Sequence, residues 1–104
     1  MTNVLDFVTL IMIVSFTNKE TEEFWLSGIT RRLPVDARKR AYARLQSLNA
    51  AKDIKDLMIP QGNQLEKLKG DRKNQYSIRV NKQWRICFIW KDGEAHEVEF
   101  VDYH

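Results

Sequence analysis

The chain has almost nothing from which covalent or metal staples could be made. Its one cysteine, Cys87, excludes an internal disulfide framework and a zinc cluster built on thiolates, so a reducing, cytoplasmic setting is the expected one. Four glycines are present, none of them in a glycine-rich phosphate loop; "LKGDRK" holds a single glycine and is no P-loop. Paired histidines and clustered carboxylates are also lacking, so neither a metal site nor a nucleotide cofactor is expected. The longest apolar run, "MTNVLDFVTLIMIVSF", is broken by Asp6 and is too short for a membrane span. It has neither the basic leader nor the small-residue cleavage site of a secretory signal. Met12 stands in this run directly before "IVSF", so residues 1–11 read as an N-terminal extension, consistent with an over-called start. Residues 12–104 read as a single domain with one modest core.

Positive charge is missing from the end of the chain. After Lys91 there is no Lys or Arg, and five acids follow: Asp92, Glu94, Glu97, Glu99 and Asp102. The basic residues lie earlier, in two segments. Residues 31–44 hold six (Arg31, Arg32, Arg38, Lys39, Arg40, Arg44) against Asp36, and residues 67–85 hold seven (Lys67, Lys69, Arg72, Lys73, Arg79, Lys82, Arg85) against Asp71. The formal net charge is only +3, so the distribution carries the information. Such segments build a positive face that attracts polyanions or an acidic partner protein; a solvated helix face is the plainer alternative. With 43% hydrophobic and 30% charged residues, the composition is that of a globular protein.

Along the chain, "IVSF" reads as a buried strand within 12–16. Thr17 and Glu20 have the spacing of a capping box opening a helix that Gly28 would stop. A second helix is predicted from Val35 to Leu48, with Ala41, Tyr42, Leu45 and Leu48 on its apolar face. "DIKDLMIP" could add a turn of helix before Pro60. Beyond Gln75 the period changes to alternation, and residues 76–80, 84–90 and 96–103 read as three strands of an antiparallel meander. The fold class is α+β in the order β-α-α-β-β-β, a mostly antiparallel sheet with helices packed on one face. Strand parity puts Ile78, Val80, Trp84, Ile86, Phe88, Trp90, Val98 and Phe100 on the core face. The opposite phase, expected to be uncovered, carries Ser77, Arg79, Arg85, Cys87, Glu97, Glu99, Val101 and Tyr103.

Four pieces of this sequence, in order, carry a resemblance: "LKGDR" (68–72), "YSIRVN" (76–81), "WRI" (84–86) and the terminal "DYH" (102–104). From Met12 to the end the chain resembles the HigB-type toxins, or plasmid maintenance system killer proteins, of the RelE/ParE toxin superfamily. The resemblance implies a RelE-like fold and an mRNA interferase, the toxic half of a type II toxin–antitoxin pair. Relatives of this kind cut messenger RNA in the A site of the small ribosomal subunit. They are silenced by a HigA-type helix-turn-helix antitoxin, and operator DNA is bound only through the toxin–antitoxin complex.

The matched residues suit that chemistry. RNA cleavage by the ribose 2′-OH needs a base for the hydroxyl, positive charge at the phosphate, and an acid for the leaving 5′ oxygen. Arg85 and Lys69 can bind the scissile phosphate, Arg85 through its fork and Lys69 as a point charge. Arg79 is a third candidate, and Arg72, Lys73 and Lys67 add phosphate-binding charge nearby. Tyr103 and His104 can transfer protons, and Asp102 can orient the imidazole. An unperturbed histidine titrates near about 6.5, and a terminal carboxylate favours its charged form. His104 therefore reads as acid or phosphate binder, leaving Tyr103 or Glu66 as base. Some HigB-type toxins have a histidine at the position of Glu66, which makes this residue a further candidate, as base or as charge partner of Lys69.

Plainer readings stand beside these. Arg85 could pair with Glu97 or Glu99 on the next strand, Lys69 could simply be solvated, and Cys87 reads as a small packed side chain. His96, next to the Asp92-Gly93 turn, reads as exposed. Two other functions share the features: a non-enzymatic superfamily toxin that inhibits gyrase by binding, as ParE-like toxins do, and a basic RNA-binding domain.

Overall fold

The structure, a computed structural model, describes residues 13–103. The extension expected over 1–11, together with Met12 and His104, lies outside the described residues.

The described chain starts along the edge of the sheet, where the buried strand expected within 12–16 is reduced to two isolated bridges and Val14 is exposed. Ile13 and Phe16 form parallel bridges with Ala95 and Val98, and Val98 N donates to Ser15 O at 3.0 Å. Helix α1 (Lys19–Ser27) then follows. Its cap is Asn18 rather than the expected Thr17: Asn18 Oδ1 accepts from Thr21 N at 2.9 Å. The Thr17 hydroxyl is already engaged, donating to Glu97 O at 2.9 Å, so a tertiary contact takes the group that a local capping box needs. Gly28 ends α1 as anticipated, in the left-handed conformation at φ 75° with its N–H on Phe24 O.

Helix α2 (Val35–Ala50) buries Ala37, Ala41, Leu45 and Leu48. Tyr42, expected in the core, is half-buried, and its hydroxyl donates to Trp25 O at 3.1 Å. Phe24 packs edge-on against both Tyr42 (5.5 Å) and Phe100 (5.3 Å) and so ties α1 to α2 and to the sheet. Each fully buried Phe or Leu of this kind contributes on the order of 1.5–3 kcal/mol. The turn of helix expected from "DIKDLMIP" is a 3₁₀ turn, Ile54–Met58.

The sheet has the order β1-β2-β3-β4: β1 (Glu66–Lys67), β2 (Tyr76–Arg79), β3 (Trp84–Lys91) and β4 (Glu94–Asp102), all antiparallel. β1 was not predictable, because two residues carry no period; it exists only as a partner for Ser77 and Tyr76. The β3–β4 turn has Asp92 at φ 53° and Gly93 at φ 76°, the two positive φ values that a tight hairpin requires. Of the predicted core face, Ile78, Val80, Trp84, Ile86, Phe88, Val98 and Phe100 are buried, and Trp90 is half-buried at the rim. The register shifts between Cys87 and Ile89, and Glu97 has φ 50°. This bulge puts Ala95 and Val98, three residues apart, on the same buried side. His96, read as exposed, is half-buried with Nε2 3.8 Å from Glu94 Oε1.

The second face of the sheet departs from expectation. Ser77, Arg85 and Cys87 are buried rather than open. Glu99, the cross-strand partner of Cys87, meets Arg72 at 2.8 Å, and the Tyr103 ring lies 5.6 Å from the Arg85 guanidinium. Side chains from the segment before β2 and from the end of β4 thus close over the middle of a face that parity alone leaves bare.

Candidate functional site

Arg85 is the cation around which this covered face is built. Its Nε donates to Ser77 Oγ at 2.7 Å, and its Nη2 donates to Gln64 O at 2.5 Å and Ser77 O at 3.4 Å. Gln64 reaches that position in a left-handed conformation, φ 43° and ψ 57°, at the end of the 3₁₀ turn Gln61–Asn63. Glu66 Oε2 is 3.8 Å from Nη2. The expected pairing of Arg85 with Glu97 or Glu99 does not form: Arg72 takes Glu99, and Glu66 on the opposite side of the sheet's order faces Arg85. Arg85 Nη1 has no hydrogen-bond partner among the described residues. Among the described residues the fork is therefore held on one side only.

Beside it lies a cleft of about 320 Å³ lined by Glu66, Lys67, Leu68, Lys69, Arg72 and Tyr103. Lys69 stands at the start of the 3₁₀ turn Gly70–Arg72, exposed and without an ion-pair partner among the described residues. Gly70, at φ 66°, lets the backbone turn sharply there. Arg72 is braced by Glu99 Oε1 at 2.8 Å and Gln75 Oε1 at 2.9 Å. The bond to Glu99 raises its already high pKa, so its charge is permanent but partly neutralised.

Tyr103 is fixed by its N–H on Gln83 O. Burial, and then the neighbouring Cys87 and Glu66, push its phenol above the ordinary tyrosine value against the pull of Arg85. A phenol raised in this way stays neutral and donates a proton or a hydrogen bond. Burial likewise pushes the Cys87 thiol up to about 11, which suits a packed side chain and not a nucleophile.

The structure thus brings Glu66, Lys67, Lys69, Arg72 and Tyr103 to one cleft with Arg85 behind it. It does not bring Lys73 there; that residue lies in a separate depression with Asn74 and Ile89. Arg79 is beside the cleft as the cross-strand neighbour of Arg85. Asp102 accepts from Gln83 Nε2 at 3.1 Å, and His104 lies outside the described residues. Sequence reasoning missed Ser77 and Gln64, the two groups that hold Arg85. The only sequence signal for Ser77 is a small hydroxyl in the same strand phase as the arginines; a backbone carbonyl such as that of Gln64 leaves no trace in composition.

Residues 14–104 match the family model described as HigB-like toxin, the RelE-like toxin of the type II toxin–antitoxin system HigB. The chain belongs to the HigB-like toxin family. Among curated relatives, "Toxin HigB-1" of Vibrio cholerae serotype O1 is 41% identical over 85 residues, 81% of this chain and 90% of that protein. "Endoribonuclease HigB" of Proteus vulgaris is 37% identical over 93 residues, 89% of this chain and all of the relative. An uncharacterized protein of Haemophilus influenzae is 33% identical over 78% of this chain and 80% of its own length. As a HigB-like toxin the chain is one half of a toxin–antitoxin pair, which makes an antitoxin its partner. Among the described residues no helix is long and apolar enough to cross a membrane.

Proposed function

We propose that this HigB-like toxin is an endoribonuclease that cuts messenger RNA on the small ribosomal subunit by attack of a ribose 2′-OH on the adjacent phosphate. The observation that carries the reading is the anchored Arg85, whose Nη1 has no hydrogen-bond partner among the described residues, beside a cleft that also holds Lys69, without an ion-pair partner among those residues, and the carboxylate of Glu66. Two cations of different kinds, one a fixed fork and one a mobile point charge, suit a phosphate that gains charge as it becomes five-coordinate. The similarity to a relative named an endoribonuclease supports the same reading.

In this reaction the 2′ oxygen bonds to phosphorus as its proton passes to Glu66, the candidate base. The bond from phosphorus to the 5′ oxygen breaks, and His104 supplies the proton that this oxygen needs. Tyr103, neutral and held against Arg85, donates a hydrogen bond to a phosphate oxygen. The products are a 2′,3′-cyclic phosphate and a 5′-hydroxyl. Asp102 supports the terminal imidazole, and Lys67, Arg72, Arg79 and Lys73 lend charge around the RNA path.

Mapping RNA ends in cells that express the chain without antitoxin tests the reading. Cuts linked to codons, bearing cyclic phosphate ends, are expected. Growth arrest with intact mRNA and damaged DNA would replace it with gyrase inhibition.

A further inference from the structure

Three arginines outside the cleft are gathered where α2 passes the end of β2. Arg40 and Arg44 stand one helical turn apart on α2. Arg44 Nε donates to Arg79 O at 3.0 Å, and Arg40 Nη1 donates to Val80 O at 3.4 Å. These carbonyls orient the guanidiniums without neutralising them. No carboxylate lies within ion-pair distance of any of the three among the described residues, whereas Arg32, Arg72 and Arg85 each meet a glutamate. Burial, then Arg40, then Arg79 hold the Arg44 guanidinium below the ordinary arginine value. Like charges one turn apart on a helix disfavour the helix, and two hydrogen bonds to backbone carbonyls do not by themselves call for a pair of arginines.

Their position supplies a reason. Arg79 is the direct cross-strand neighbour of Arg85, and Gly62, two residues before the Gln64 that holds Arg85, lies against the Arg44 guanidinium. Cross-strand pairing and these carbonyl contacts therefore link Arg85, Arg79, Arg44 and Arg40 in order, from beside the cleft past the end of β2 to the side of α2 that meets it. We infer that Arg40 and Arg44, continuing from Arg79, form a second phosphate-binding site that grips the phosphodiester backbone of RNA away from the bond being cut. The inference rests on the nuclease reading for its choice of partner. An acidic protein surface could also meet arginines, but continuity with the cleft favours a polymer whose successive phosphates follow these arginines in order.

The test reads binding without cleavage. An RNA carrying 2′-O-methyl groups, which removes the nucleophile, is bound to the full chain either alone or loaded on ribosomes, between about 50 and 200 mM salt. The double variant Arg40→Gln with Arg44→Gln should bind about tenfold more weakly at the low-salt end. Its plot of log affinity against log salt should flatten by roughly 0.7 for each phosphate no longer neutralised. Flattening with the RNA alone assigns the site to the message; flattening only with ribosomes assigns it to ribosomal RNA. The double variant Arg40→Lys with Arg44→Lys keeps the charge, should keep the slope, and serves as the probe if the glutamine variant does not fold. An unchanged slope and affinity for both RNA forms in the glutamine variant overturns the inference, as does a lysine variant whose slope has collapsed. A glutamine variant that loses only antitoxin affinity also overturns it. If the wild-type chain yields no cyclic-phosphate ends, the nuclease reading fails while this binding comparison still stands.

Discussion

Arg85 on β3 and Ser77 on β2 are joined by a 2.7 Å hydrogen bond from Nε to Oγ, both residues being buried. A buried cation needs acceptors wherever it meets protein, and Ser77 provides the one that sets the plane of the fork. Ser77→Ala should lower folding stability by about 1–3 kcal/mol, through the unpartnered Nε. If Ser77 positions Arg85, kcat for RNA cleavage should fall by roughly tenfold with KM little changed. Urea denaturation and cleavage kinetics measured together check this; a stability loss with intact kcat would leave Ser77 a purely structural role.

Lys69 and Arg85 should separate in their effects on folding. Both Lys69→Ala and Arg85→Ala should reduce cleavage by roughly 10²–10³-fold, the usual cost of one group that stabilises a developing oxyanion. Lys69 is exposed and unpaired among the described residues, so its loss should change stability by no more than about 0.5 kcal/mol. Arg85→Ala strips the acceptors Ser77 and Gln64 of their donor and should cost about 1–3 kcal/mol. Cleavage assays, antitoxin binding and denaturation midpoints on the two variants decide the matter.

Alkaline pH should weaken the fold through Cys87. Its folded-state value of about 11 lies above its unfolded value of 9.0. The stabilisation is therefore complete below pH 9 and is lost as pH rises towards 11, amounting at most to about 2–3 kcal/mol. Unfolding midpoints taken across this window should fall for the wild-type chain and fall less for Cys87→Ala. Parallel curves would mean that the thiol is not the group responsible. Tyr103, also raised, adds a slope of the same sign above the ordinary tyrosine value.

Deleting His104 tests the terminal proton donor. Cleavage should drop by about 10²–10⁴-fold, the range for a lost general acid. Undiminished cleavage would move the acid to another residue.

Much of the fold was legible in advance, because periodicity is a local property. The α2 stripe of Ala41, Leu45 and Leu48 and the β-strand phase of Ile78, Ile86, Phe88 and Phe100 announced their burial in their spacing. The bulge at Glu97 and the strand Glu66–Lys67 did not, since both arise from what lies across the sheet and not from the residues' own pattern. The same distinction governs the site. The ordered pieces "LKGDR", "WRI" and "DYH" named Lys69, Arg85 and the chain terminus. They could not say that the arginine is buried, or what holds it.

Sequence alone therefore determined the two helices, the three-strand meander with its core face, and the cast of charged residues, each of which follows from side-chain type and spacing. Only the tertiary structure decided how those charges are used. Whether an arginine is paired, anchored with one nitrogen free, or crowded against its own kind depends on distances of a few ångströms between residues far apart in the chain. Glu66 beside Arg85, Glu99 on Arg72, and Arg44 against Arg79 are juxtapositions of that kind.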